Sequence, residues 1–354
     1  MHSVHFPIPP HRSAQRAVSL HTSRASARQW AVVRTLLCIV LLVLGLRAEA
    51  LEPKDVPRVG YLAAVSATAD APRLEAFRRG LRELGYVEGK NIIIEYRHEN
   101  VDFGRLPELA AELVRLKVDV LVTVTTNAAL AARKTTSSLP IVFMGITDPV
   151  AAGLVTSLAR PGGNSTGVTN MAAVLAGKRL ELLKEAVPRA RRIAVLWDPQ
   201  APGSIPQWDE SQWPADKLQL KLHSMQVSSA EHYVAAFRQA AKAGNQAVWV
   251  TLNPLANSHQ KLIAELAIDS RLPSVCARSD YAENGCLMAY GPGYSTEGQD
   301  GARYLDKILK GAKPAELPVE QPTKFELVVN LKTARRIGVN IPQWVLDRAD
   351  KVIE

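Results

Sequence analysis

The residues best able to do chemistry gather where apolar runs end. Ser66 and Thr68 follow the run Arg58–Ala63. Thr125, Thr126 and Asn127 follow Val118–Val124, and Asp148 follows Ile141–Met144 across a Gly-Ile-Thr link. In the second half Asp198 follows Trp197, Asn253 follows Leu252, and Asp280 lies just beyond Ala277. Hydroxyls and free backbone N–H groups at helix starts suit a carboxylate. An Asp in the same place suits an ammonium group. The same residue types also cap helices with no ligand at all. The shared bias is therefore the signal, and no single member carries it.

Other motifs fare worse. Gly163-Asn-Ser165-Thr-Gly167 has the spelling of a nucleophile elbow, which needs a strand before the Ser and a helix after it. Here Arg160-Pro-Gly precedes it and the strand-like Gly167–Asn170 follows, so a serine hydrolase built on Ser165 is the weakest reading. Gly177-Lys178 has Ala172 and Arg179 where a phosphate loop needs Gly and Ser or Thr. His98, His223, His232 and His259 stand at no metal-ligand spacing. No catalytic residue, metal or cofactor is assigned.

The positioning elements alternate. Strands are predicted at 58–63, 91–96, 118–124 and 140–144, with helices at 72–84, 106–116, 127–134 and 150–159. The rhythm then restarts, with helices at 180–186, 230–243, 260–270 and 298–309 and strands at 192–197, 246–251, 273–277, 287–290 and 325–330. Two short helices are expected to end the chain near Ile353. Such alternation argues for α/β architecture, with two doubly wound parallel sheets and right-handed crossovers. Ligands bind at the carboxyl ends of such strands, so these loops would converge on one cleft. Ala201–Ala215 breaks the rhythm with three Pro and two Trp, and a loop or distorted short helix is expected there.

The chain has 354 residues, 47% of them apolar and 22% charged, which suits about two globular domains. Its formal charge of +9 is uneven, because residues 1–50 hold six Arg and one Glu. The remainder has 37 basic and 33 acidic residues, a balance that gives no reason to expect a nucleic-acid partner. Within the leader, Leu36–Leu46 is an unbroken apolar run after Arg28 and Arg34 and before Ala48-Glu-Ala50. This is the layout of a signal peptide over 1–50, cut at Ala50–Leu51 and too short to span a bilayer. Cys276 and Cys286 would then meet an oxidising compartment. They read either as a disulfide or, in preference, as two small buried side chains in neighbouring strands.

Several blocks resemble a known family. They are Gly85-Tyr-Val-Glu-Gly-Lys-Asn-Ile-Ile-Ile-Glu-Tyr96, Thr147-Asp-Pro-Val150, Arg160-Pro-Gly-Gly-Asn164 and Gln321-Pro-Thr-Lys-Phe-Glu-Leu-Val-Val-Asn-Leu-Lys332. From about Arg58 to Glu354 the chain resembles ABC-transporter substrate-binding proteins, the family that includes tryptophan- and tyrosine-binding proteins of bacterial importers. The resemblance implies a type I periplasmic-binding-protein fold, with two lobes joined by three crossover strands. The lobes are expected at 55–169 plus 292–322 and at 170–291 plus 323–354. Thr169-Asn170, Tyr290-Gly291 and the region near Thr323 match the crossovers. Thr125, Thr126, Asn127 and Asp148 would touch the ligand from the first lobe and Asp280 from the second. The implied protein is a periplasmic monomer that catalyses nothing. It would close on a small ligand, with an amino acid, aromatic as first guess, and deliver it to a permease and ATPase at the inner membrane. A sensor feeding a membrane signalling protein is the alternative. The chain departs from the family at 201–218, where Trp197, Trp208 and Trp213 either alter ligand choice or, in preference, fill space.

Overall fold

A computed structural model describes residues 56–100 and 102–354. The expected leader lies outside the described residues. Among those described, no helix is long and apolar enough to cross a membrane.

The first sheet is all parallel, in the order β2-β1-β3-β4-β5. Its strands are β1 (Arg58–Ala63), β2 (Ile93–His98), β3 (Val120–Val124), β4 (Ile141–Ile146) and β5 (Ser165–Thr169). β3 is buried at every residue, as expected of a parallel strand covered on both faces. Between the strands run α1 (Ala67–Glu83), α2 (Leu106–Arg115) and α3 (Thr126–Thr135).

The second sheet has the order β12-β11-β10-β9-β8-β6-β7. It comprises β6 (Arg192–Trp197), β7 (Lys221–Gln226), β8 (Ala247–Val250), β9 (Ser274–Cys276), β10 (Met288–Gly291), β11 (Glu326–Asn330) and β12 (Lys351–Ile353). Only the β10–β11 pairing is antiparallel. The helices are α4 (Ala176–Ala186), α5 (Ser204–Lys217), α6 (Ala230–Lys242), α7 (Pro254–Ser258), α8 (Gln260–Asp269), α9 (Ser279–Glu283), α10 (Tyr294–Leu309), α11 (Leu331–Ile337) and α12 (Gln343–Leu346). α10 leaves the second sheet and packs on α1 and the first sheet. Each sheet has its own core, one around Tyr61, Phe77 and Val122 and the other around Trp249, Leu183 and Val275.

Four expectations change. Residues 150–159 form turns and not a helix: Asp148 Oδ1 accepts from the Val150 and Ala151 N–H groups, and Gly153 sits at φ +69°. Residues 204–217 form a regular helix despite their prolines. Pro206 falls in the first turn, where no intrahelical N–H bond is needed, and Pro214 falls near the last turn. The chain ends in strand β12 and not in a helix. Cys276 and Cys286 form a disulfide, because the turn after α9 returns Cys286 beside the end of β9.

Candidate functional site

The carboxyl ends of both sheets face one cleft. Its inner cavity is lined by Arg73, Thr125, Thr126, Asn127, Gly145, Thr147 and Asn170 from the first lobe. Ala201, Gly203, Leu252, Asn253, Pro254, Asn257 and Arg278 line it from the second. Most of them lie at or just after a strand's carboxyl end, as crossover geometry requires, whereas Arg73 comes from α1 and Asn257 from α7.

Local sequence sets the first wall. Thr125 joins β3 to α3 at φ +82°, a strained conformation for a β-branched residue. It turns the start of α3 into the cleft without a side-chain cap, and its buried Oγ1 has no hydrogen-bond partner. Asn170 donates Nδ2 to the Gly145 carbonyl at 2.8 Å and accepts from the Ala172 N–H at 2.9 Å, which fixes the turn after β5.

The opposite wall begins with the 198–204 loop. Asp198 is buried and accepts from the Gln200 N–H at 2.8 Å, and burial pushes its carboxyl above the usual range. The loop brings Gly203 against the first lobe, where a Cβ would lie 2.8 Å from Thr147 Oγ1 and 3.3 Å from Thr126 Oγ1. Asn127 Nδ2 donates to the Gln200 carbonyl at 3.4 Å across the cleft. The walls leave about 20 Å³ of free space between them.

Two arginines complete the floor. Arg73, only 2% exposed, donates to Asp70 Oδ1 at 2.7 Å and to Glu297 Oε2 at 3.0 Å. Asp70 also accepts from the Tyr61 hydroxyl at 2.7 Å and lies 3.3 Å from His98 Nε2. Burial opposes the Asp70 charge, but the His98 bond, the Arg73 charge and the Tyr61 bond hold its carboxyl below the usual range. Arg278 donates to Asp280 Oδ1 at 3.0 Å, to Asn257 Oδ1 at 2.9 Å and to the Tyr294 hydroxyl. The Tyr294 ring lies 4.4 Å from the Arg73 guanidinium carbon and 3.8 Å from that of Arg278, a close double cation–π contact.

The residues expected from sequence divide. Thr125, Thr126, Asn127 and Asn253 line the inner cavity. Ser66, Thr68 and Asp280 line an outer chamber of about 410 Å³ that shares Asn257 with it. Asp280 also accepts from Gln260 at 2.5 Å. Asp148 and Thr169 line a separate groove, where Thr169 Oγ1 donates to the Ile146 carbonyl at 2.6 Å. Tyr290 packs on Phe325, and its carbonyl accepts from Arg179 at 2.8 Å. Trp197 stacks on Trp208 at 6.0 Å between ring centres, and neither lines the cavity.

Sequence reasoning missed Arg73, Arg278, Asn257 and Thr147. For Arg73 a signal existed. Asp70 and Arg73 fall on the same helical stripe as Phe77 and Leu81, so a charged pair occupies an otherwise apolar inward face.

Comparison with known proteins agrees with this architecture. A family model described as ABC transporter substrate binding protein matches residues 58–353. The tyrosine-binding protein of Clostridioides difficile (strain R20291) is 26% identical over 280 residues, 78% of this chain and 80% of that protein. A solved ABC domain in complex with L-Trp from Streptococcus pneumonia superposes with a TM-score of 0.79 at 28% identity, covering 84% of this chain and 99% of that one. The ligand-free, open structure of a substrate binding protein with adhesive properties from Clostridium difficile gives 0.63 at 25% identity, with coverage of 84% and 99%. The fold alone extends to solute binding proteins at 11% and 12% identity, with TM-scores of 0.55 and 0.58.

Proposed function

The chain belongs to the ABC transporter substrate-binding protein family, and on that premise we propose that it is an exported receptor for a small ligand, held between its lobes and released to a membrane permease. The carrying observation is the inner cavity, walled by strand-end residues of both lobes that meet across it. The better superposition on the L-Trp complex than on the open, ligand-free relative, at similar identity, supports reading this arrangement as the closed one.

In this reading 55–169 plus 292–322 and 170–291 plus 323–354 move as two bodies about the crossovers near Thr169, Gly291 and Thr323. Residues 1–50 direct export to the periplasm, and the partners are a permease and its ATPase. The protein carries out no chemistry of its own. Ser165 supports that view, since it is fully buried inside β5. Relatives named for tyrosine and solved with L-Trp make an amino acid the ligand class to test first.

A thermal-shift screen of amino acids, short acids and sugars tests the reading. A ligand specific for the folded state adds RT ln(1 + [L]/Kd), about 2.7 kcal/mol at a hundredfold excess over Kd. A dose-dependent rise supports the receptor. A flat response across the screen, together with no small molecule retained in native mass spectrometry, counts against it.

A further inference from the structure

We infer that the ligand of this chain is a short-chain acid with two carboxylates, a dicarboxylic acid or an acidic amino acid, bound between Arg73 and Arg278. The inference rests on the receptor reading and narrows it.

Both arginines line the inner cavity from opposite lobes, and each is at least 98% buried. Carboxylates hold their far edges: Asp70 and Glu297 fix Arg73, and Asp280 fixes Arg278. Among the described residues, Arg73 Nη2 and Arg278 Nη1 have no hydrogen-bond partner. A Cβ on Gly145, itself part of the cavity wall, would lie 3.5 Å from Arg73 Nη2, which places that nitrogen at the wall of the cavity.

The rest of the lining adds to this. The uncapped starts of α3 and α5 both open on the cavity, and the buried Thr125 hydroxyl there is unpartnered. No Asp or Glu is among its lining residues, but the Glu297 carboxylate stands just behind Gly145, its Oε2 3.3 Å from the same Cβ position and its Oε1 without a hydrogen-bond partner among the described residues. No aromatic side chain lines it either. Two fixed guanidinium edges and two helix starts match two carboxylates. An anion shared by Arg73 and Arg278 also joins the lobes, so ligand charge would drive closure.

Titration calorimetry on the full chain with succinate, L-aspartate and L-tryptophan tests this. Succinate, L-aspartate or both should bind, at least tenfold more tightly than L-tryptophan; which of the two is tighter tells dicarboxylate from acidic amino acid. Arg73→Gln and Arg278→Lys should each weaken the acid at least tenfold. If either variant fails to fold, the comparison on the unaltered protein still decides. L-tryptophan binding more tightly than both acids overturns the inference and leaves the receptor standing. Binding of neither acid overturns it too, and the receptor reading then falls only if native mass spectrometry also finds no small molecule retained.

Discussion

At the residue scale, the polar groups of the cleft differ in what they are free to do. Thr126 lines the inner cavity, whereas the Asp148 carboxylate is committed to two backbone N–H groups of its own turn. Thr126→Ala should therefore weaken ligand about tenfold with little change in stability. Asp148→Ala should cost about 1 kcal/mol of stability, as loss of a cap does, with little change in affinity. Calorimetry paired with urea denaturation separates the two. Asp70 gives a pH signature. Its folded pKa is depressed, so its contribution is complete above the unfolded value near 3.9 and is lost as pH falls through the lower folded value. Asp70→Asn should cost about 3–5 kcal/mol at pH 7, because it leaves Arg73 short of a buried partner. That gap should shrink on acidification below pH 4. The polar strand ends were legible in the sequence because crossover topology dictates where they point. Arg73 showed only as a charge on an otherwise apolar helical stripe, and Arg278, in the turn before α9, gave no signal because only tertiary packing buries it.

At the scale of elements, alternation of apolar runs located the central strands, which are mostly apolar. It was blind to edge strand β7, Lys-Leu-His-Ser-Met-Gln, which exposes polar side chains at the sheet margin. It also misjudged α5, where proline position matters more than proline count. α5 packs against α4 so closely that a Cβ on Gly177 would lie 2.8 Å from Pro214 Cγ. Gly177→Ala should destabilise by about 1–3 kcal/mol through overpacking. Pro214→Ala should recover part of that loss in the double variant, as a denaturation cycle would show. The stacking of Trp197 on Trp208 of this helix fits a structural role for those two residues, whereas Trp213 is 69% exposed and fills no interior space.

For the whole molecule, the proposed function requires the two α/β lobes to close on the ligand. The lobes come together at Gly203, where a Cβ would fall 2.8 Å from Thr147 Oγ1 and 3.3 Å from Thr126 Oγ1. Gly203→Val should wedge the cleft, lowering ligand affinity at least tenfold while leaving the folded stability of each lobe intact. The most direct measurement places spin labels on the two exposed cleft residues Thr68 and Lys261, which face one outer chamber from opposite lobes, in a Cys38→Ser background. Pulsed electron–electron resonance then reads their separation with and without the ligand found in the screen. A shift to a shorter, narrower distance distribution on saturation is the predicted result, and Gly203→Val should abolish it. An unchanged distribution at saturating ligand would contradict domain closure as the mode of binding.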